Sequence, residues 1–182
     1  MGRATVTVSP RRSTNGGTQN NMDVRYVNAF VGSIRNVFRT MLGIEVEFQR
    51  PVVKSSIESR ADVSAVIGFS GDASGVVVLA FGLDVATGTA SKFAGAQLTL
   101  GHPDFADALG ELANMVAGGA KANFEGLDVS ISLPSVITGQ GHEVLNSKVH
   151  PSLMIPCQCS LGGFSVEVAM KVDKKSLVGA AS

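Results

Sequence analysis

The sequence predicts an α+β domain in which long helices pack on one side of an antiparallel or mixed sheet. Three observations predict it. Two stretches carry apolar residues at three- and four-residue intervals, the period of an amphipathic helix. Two others alternate apolar and polar residues across a glycine-bearing turn, the pattern of a hairpin. These occur in the same order in both halves of the chain: helix, short strand, hairpin, then again helix, short strand, hairpin. That order implies a pseudo-repeat of layered units.

The first helix is read from Val24 to Leu42, where Val27, Phe30, Val31, Ile34, Val37, Phe38, Met41 and Leu42 form one stripe, and Gly43 stands where a helix commonly stops. A short strand, Ile44 to Phe48, follows and is closed by Pro51. Ala61, Val63, Ala65, Ile67 and Phe69 alternate as one strand. Ser-Gly-Asp-Ala-Ser-Gly (70–75) turns the chain into Val76 to Phe81, and Asp84 to Ala94 reads as a short helix. In the second half, Gly-His-Pro (101–103) opens a helix from about Asp104 to Phe124, and a short strand lies around Leu127 to Leu133. Val149, Leu153, Ile155, Cys157 and Cys159 then share one strand face. Across Leu-Gly-Gly (161–163) its partner turns Phe164, Val166, Val168, Met170 and Val172 inward and Ser165, Glu167 and Lys171 outward.

The 182 residues suffice for one domain with a substantial core, placed at 23–175 between a basic tail (1–22) and a frayed end (176–182). Arg3, Arg11 and Arg12 precede the first acid, Asp23, so a mildly acidic domain follows the tail. The net charge of +0 argues against a dedicated nucleic-acid binder. The two cysteines, Cys157 and Cys159, stand too close along a strand for an unstrained disulfide and read as small apolar core residues. With no apolar run long enough to span a membrane and no secretory leader, a cytoplasmic protein is expected.

The helix from Asp104 carries the chemistry. At about 100° per residue, Phe105, Leu109, Leu112 and Val116 form the core stripe, while Asp107, Glu111, Asn114 and Gly118 form a row opposite. Gly118 and Gly119 each cost about 1 kcal/mol of helix propensity relative to alanine, which suggests that something approaches closely there or that helices pack tightly. Taken by itself the polar row is what any solvated helix face shows.

Asp-Ala-Leu-Gly-Glu-Leu-Ala-Asn-Met-Val-Ala-Gly-Gly-Ala-Lys (107–121), with Ser-Leu-Pro-Ser-Val-Ile-Thr-Gly (132–139) downstream, resembles the signature of the CheC/CheX chemotaxis phosphatases. Asn-Ala-Phe (28–30) and Met-Leu-Gly-Ile-Glu (41–45) resemble the first helix of the CheX branch, so the likeness covers roughly 24–172. Two departures stand out. The family's proline lies a few residues farther on than Pro134, which has 19 residues between it and Asn114. The first helix carries Arg-Tyr-Val-Asn (25–28) where CheC has a second Glu-x-x-Asn, so one catalytic helix of CheX type is expected.

The resemblance implies hydrolysis of the aspartyl phosphate on a CheY-like response regulator. Asn114 would position the attacking water and Glu111 would pair with a regulator lysine, with Asp107 and Gly118 in partner contact. It implies no cofactor of the chain's own, Mg²⁺ supplied by the regulator, and a homodimer. A non-catalytic module binding a regulator or a flagellar or signalling partner is the alternative. No competing site emerges. His102, His142 and His150 are scattered, 70–75 lacks the P-loop lysine, and no serine sits in a Gly-x-Ser-x-Gly elbow.

Overall fold

The computed structural model describes residues 24–53, 61–142, 144 and 152–172, with the side chains of residues 24 and 25 excepted. The expectations for the two tails, for Val149 and for His150 lie outside these residues. Helix α1 (Val24–Val37) winds its last turn, Phe38–Leu42, as a π-helix and ends at Gly43 in the left-handed region (φ 65°). Strands β1 (Glu47–Phe48) and β2 (Val52–Val53) flank Pro51. The hairpin β3 (Ala61–Gly71) and β4 (Ala73–Phe81) leads to α2 (Leu83–Ala94) and α3 (Asp104–Lys121). Then come β5 (Val129–Ile131), β6 (Ser135–His142), β7 (Leu153–Cys159) and β8 (Gly162–Val172).

The sheet runs β1-β7-β8-β4-β3-β5, with β2 also on β7 and β6 also on β3, and these pairs are antiparallel. That order is palindromic. The short-strand pair of each half borders the hairpin of the other, so the repeat of order is a pseudo-twofold in space. Phe30, Ile34, Phe38, Leu109, Leu112 and Val116 are fully buried between helices and sheet. Phe30 meets Phe69 and Phe124 edge-on with ring centres 5.7 and 5.8 Å apart, an arrangement aromatic quadrupoles favour.

The hairpin turn lies where the sequence places it: β3 and β4 pair as far as Phe69 and Gly75, and between these residues Gly71 pairs with Val129 of β5 and Ala73 with Val172 of β8. Asp72 donates its N–H to Asp128 O and its carboxylate accepts from Asp128 N, both at 2.9 Å. Two expectations are corrected. Ser135–His142, foreseen only as a proline-bearing segment, is a strand on the sheet edge. Glu167 does face away from the helices, but it is only 1% exposed. Its strand neighbours Val78 and Ala169 are buried with it, so alternation gave its side of the sheet without giving the wetness of that side.

Cys157 is buried and Cys159 half-buried, and both thiols are free. Burial, with a smaller push from Cys159, raises the Cys157 thiol from 9.0 to about 12. An unfolded chain would therefore ionise this thiol first and bind fewer protons than the native one. Stability should fall as pH rises from about 9 towards 12. At about pH 8, iodoacetamide should spare Cys157 in the native protein and label it once the chain is denatured. Rapid native labelling at Cys157, read by peptide mass, would contradict this burial.

Candidate functional site

Helix α3 begins on an unusual cap. Pro103 at its N-cap offers no side-chain acceptor, and His102 Nδ1 accepts from the Asp104 N–H instead, at 3.2 Å. Asp104 and Asp107 place carboxylates in the first turn, where free N–H groups favour them. Phe105, Leu109, Leu112, Val116 and Ala120 face the core. The opposite row carries Asp107 and Glu111 exposed and Asn114 and Gly118 partly exposed. All four residues singled out in the sequence thus share one accessible ridge.

The two glycines separate in purpose. A Cβ at Gly118 would meet nothing within 4 Å, so the chain's own packing does not require glycine there. A Cβ at Gly119 would overlap Ser33 Oγ and lie 3.3 Å from Ser33 Cβ, so this glycine is the point where α1 crosses α3. Ser33 donates to Val116 O at 2.7 Å across the same crossing. Tight helix packing therefore accounts for Gly119, while the bare backbone at Gly118 leaves the ridge open to approach.

Beside the ridge runs an open groove of about 390 Å³ lined by Ala106, Asp107, Gly110, Glu111, Pro134 and Val136. Its far wall comes from the junction of β5 and β6. Ser132 secures this junction: its N–H donates to Gly68 O and its Oγ accepts from Gly68 N, both at 2.9 Å, while the hydroxyl donates to Leu133 O at 2.8 Å. Pro134 is thereby delivered against α3 one residue before Glu111. Gly110, which the sequence reading passed over, had a visible signal: a glycine inside a helix, as costly there as Gly118 or Gly119.

The arrangement offers an exposed carboxylate and, one turn on, a partly exposed carboxamide on the same helix face. The described residues contain no group of three or more His, Cys, Asp and Glu able to hold a metal. The two histidines among the described residues serve structure. His102 caps α3, and His142 contacts Gly139 O at 2.7 Å and Ser64 Oγ at 2.8 Å. None of the helices described is long and apolar enough to cross a membrane.

A chain with this ridge on this palindromic sheet has clear relatives. A family model described as "Chemotaxis phosphatase CheX" matches residues 63–158, which include α3 and Pro134. The protein named CheY-P phosphatase CheX of Thermotoga maritima is 34% identical over 122 residues, 65% of this chain and 79% of that one. The crystal structure of a chemotaxis protein CheX from Desulfovibrio desulfuricans superposes with a TM-score of 0.75 at 32% identity, covering 80% of this chain and 99% of that one. The CheX of a CheX–CheY–BeF3–Mg²⁺ complex from Borrelia burgdorferi gives a TM-score of 0.69 at 24% identity, over 80% and 97% of the two chains, a likeness that speaks to the fold. With more than half its length matched by the family model and a third of its aligned residues shared with a CheX, the chain belongs to the CheX chemotaxis phosphatase family.

Proposed function

We propose that this protein hydrolyses the aspartyl phosphate of a CheY-like response regulator, with Asn114 orienting the attacking water. The observation that carries the reading is the accessible ridge on which Glu111 and Asn114 stand one turn apart, in a chain of this family. An aspartyl phosphate is already activated, so what the phosphatase must add is position and charge complementarity. A carboxamide suits the water. It accepts one water hydrogen and bears no charge to repel the phosphoryl oxygens, as a carboxylate would. The new bond joins water oxygen to phosphorus, the P–O bond to the aspartate breaks, and inorganic phosphate and a free carboxylate leave. Mg²⁺ and the lysine beside the acyl phosphate belong to the regulator.

Glu111 pairs with that lysine and fixes the register of the two proteins. Asp107 contributes at the rim, and Gly118 lets the regulator's surface come close. The described domain, within the expected 23–175 boundaries, acts in the cytoplasm and as a homodimer whose copies meet through sheet edges. Light scattering of the purified chain tests the dimer, and a monomer at micromolar concentration would remove that part of the reading.

The test is phosphate release from a phosphorylated CheY-like regulator with and without the protein. Because Glu111 is exposed, Glu111→Ala should act chiefly on encounter. KM should rise about fivefold to tenfold, with a weaker dependence on salt, and kcat should change less. A Glu111→Ala variant with unaltered KM and salt dependence would remove the lysine pairing. Binding of the phosphorylated regulator without any acceleration would favour the non-catalytic module.

A further inference from the structure

Gly110 is placed where the site's two supports meet. A Cβ there would lie 3.3 Å from Pro134 Cγ and 3.5 Å from Pro134 Cβ, with Val136 Cγ2 at 3.8 Å. The backbone does not ask for glycine, since Gly110 is absent from the residues of positive φ. Alanine would suit a helix interior better. What the glycine supplies is room for the proline ring. From the other side the ring is held by the sheet, through the Ser132–Gly68 pair before it and the Ser135–Val66 pairing after it.

The pseudo-twofold supplies a second observation. Aligning Asn28 with Asn114 sets Gly32 against Gly118 and Ser33 against Gly119, the pair that touches at the helix crossing. The same alignment sets Arg25 against Glu111 and Val24 against Gly110. The half that lacks the acid also lacks the glycine.

We infer that Gly110 is a positioning residue of the α3 site, acting through Pro134 to set the height of the β5–β6 junction against Glu111 and Asn114. A regulator leaning on both α3 and the junction then meets Asn114 at one fixed offset. A methyl at residue 110 lifts the junction by a few tenths of an ångström and misplaces the water relative to the phosphorus, and in-line chemistry is steep in such offsets. The inference rests on the phosphatase reading.

The test compares full-length wild type, Gly110→Ala, Pro134→Ala and the double variant. Phosphate release from phosphorylated CheY, affinity for beryllofluoride-activated CheY, and Tm are measured for each. Gly110→Ala should lower kcat about tenfold, with KM and affinity within about twofold of wild type. Tm should hold or rise, since alanine favours the helix. In the Pro134→Ala background the same substitution should cost nothing further, because no ring remains for the methyl to push. Unchanged kcat in Gly110→Ala overturns the inference, as does a loss confined to KM or a loss of the same size with and without the ring. If wild type itself does not accelerate phosphate release, the phosphatase reading has failed and the inference falls with it. If wild type does and Gly110→Ala matches it, only the inference fails.

Discussion

Asn114→Ala is expected to slow phosphate release from a phosphorylated CheY-like regulator by about 10²-fold or more, with little change in affinity for the beryllofluoride-activated regulator. The magnitude follows from the division of labour. The regulator brings the metal and the charges that neutralise the phosphoryl group, so the phosphatase contributes mainly an oriented water. Removing the one group that orients it should remove most of that contribution. Asn114 is only partly buried, and alanine is a better helix former, so Tm should hold or rise. Two further variants separate orientation from polarity. Asn114→Asp keeps the shape and adds a charge that the phosphoryl oxygens repel, so it should lose as much activity as alanine. Asn114→Gln keeps the carboxamide but moves it by one methylene, and should retain an intermediate rate. Equal rates for wild type and Asn114→Ala would remove Asn114 from the mechanism. Full activity in Asn114→Asp would replace the water-orienting carboxamide with general-base chemistry.

The candidate ridge was legible because it depends on one local rule. Helical periodicity puts Asp107, Glu111, Asn114 and Gly118 opposite Phe105, Leu109, Leu112 and Val116, and the core needs that apolar stripe whatever the rest of the chain does. Both long helices were readable for the same reason, and Gly43 for its left-handed backbone. Strand β6 was not readable. It lies at the sheet edge with most of its residues exposed, and Gly139 and Gly141 interrupt its side chains, so period-two alternation is lost in the letters. The groove beside Glu111 was hidden with it. Pro134 reaches Gly110 only because β6 pairs with β3 and Ser132 pairs with Gly68, partners more than sixty residues away in sequence. Glu167 shows the complementary limit. Its side of the sheet follows from alternation, while its burial depends on what covers that side, which no local pattern encodes.

The largest stability effect should come from Gly119→Val, expected to cost at least about 3 kcal/mol and to lower Tm by about 6–12 °C. The reason lies in the crossing of α1 and α3. The first added carbon alone would overlap Ser33 Oγ, and Ser33 is buried and donating to Val116 O at 2.7 Å. The hydroxyl can leave only by abandoning that bond, and valine's two further methyls must then force the helix backbones apart. Alanine separates these costs. Gly119→Ala alone should destabilise by about 1–2 kcal/mol, from the displaced hydroxyl and its lost hydrogen bond. In the Ser33→Ala background the new methyl faces a Ser33 Cβ position 3.3 Å away, and the same substitution should be close to neutral. A cost for Gly119→Ala that is unchanged by Ser33→Ala would mean that the hydroxyl is not the obstacle. Because α3 carries Glu111 and Asn114 on its far face, separation of the helices also moves the ridge relative to the sheet-held Pro134. Gly119→Val should therefore lose phosphatase activity at temperatures where circular dichroism still reports a folded chain, whereas Ser33→Ala/Gly119→Ala should keep it.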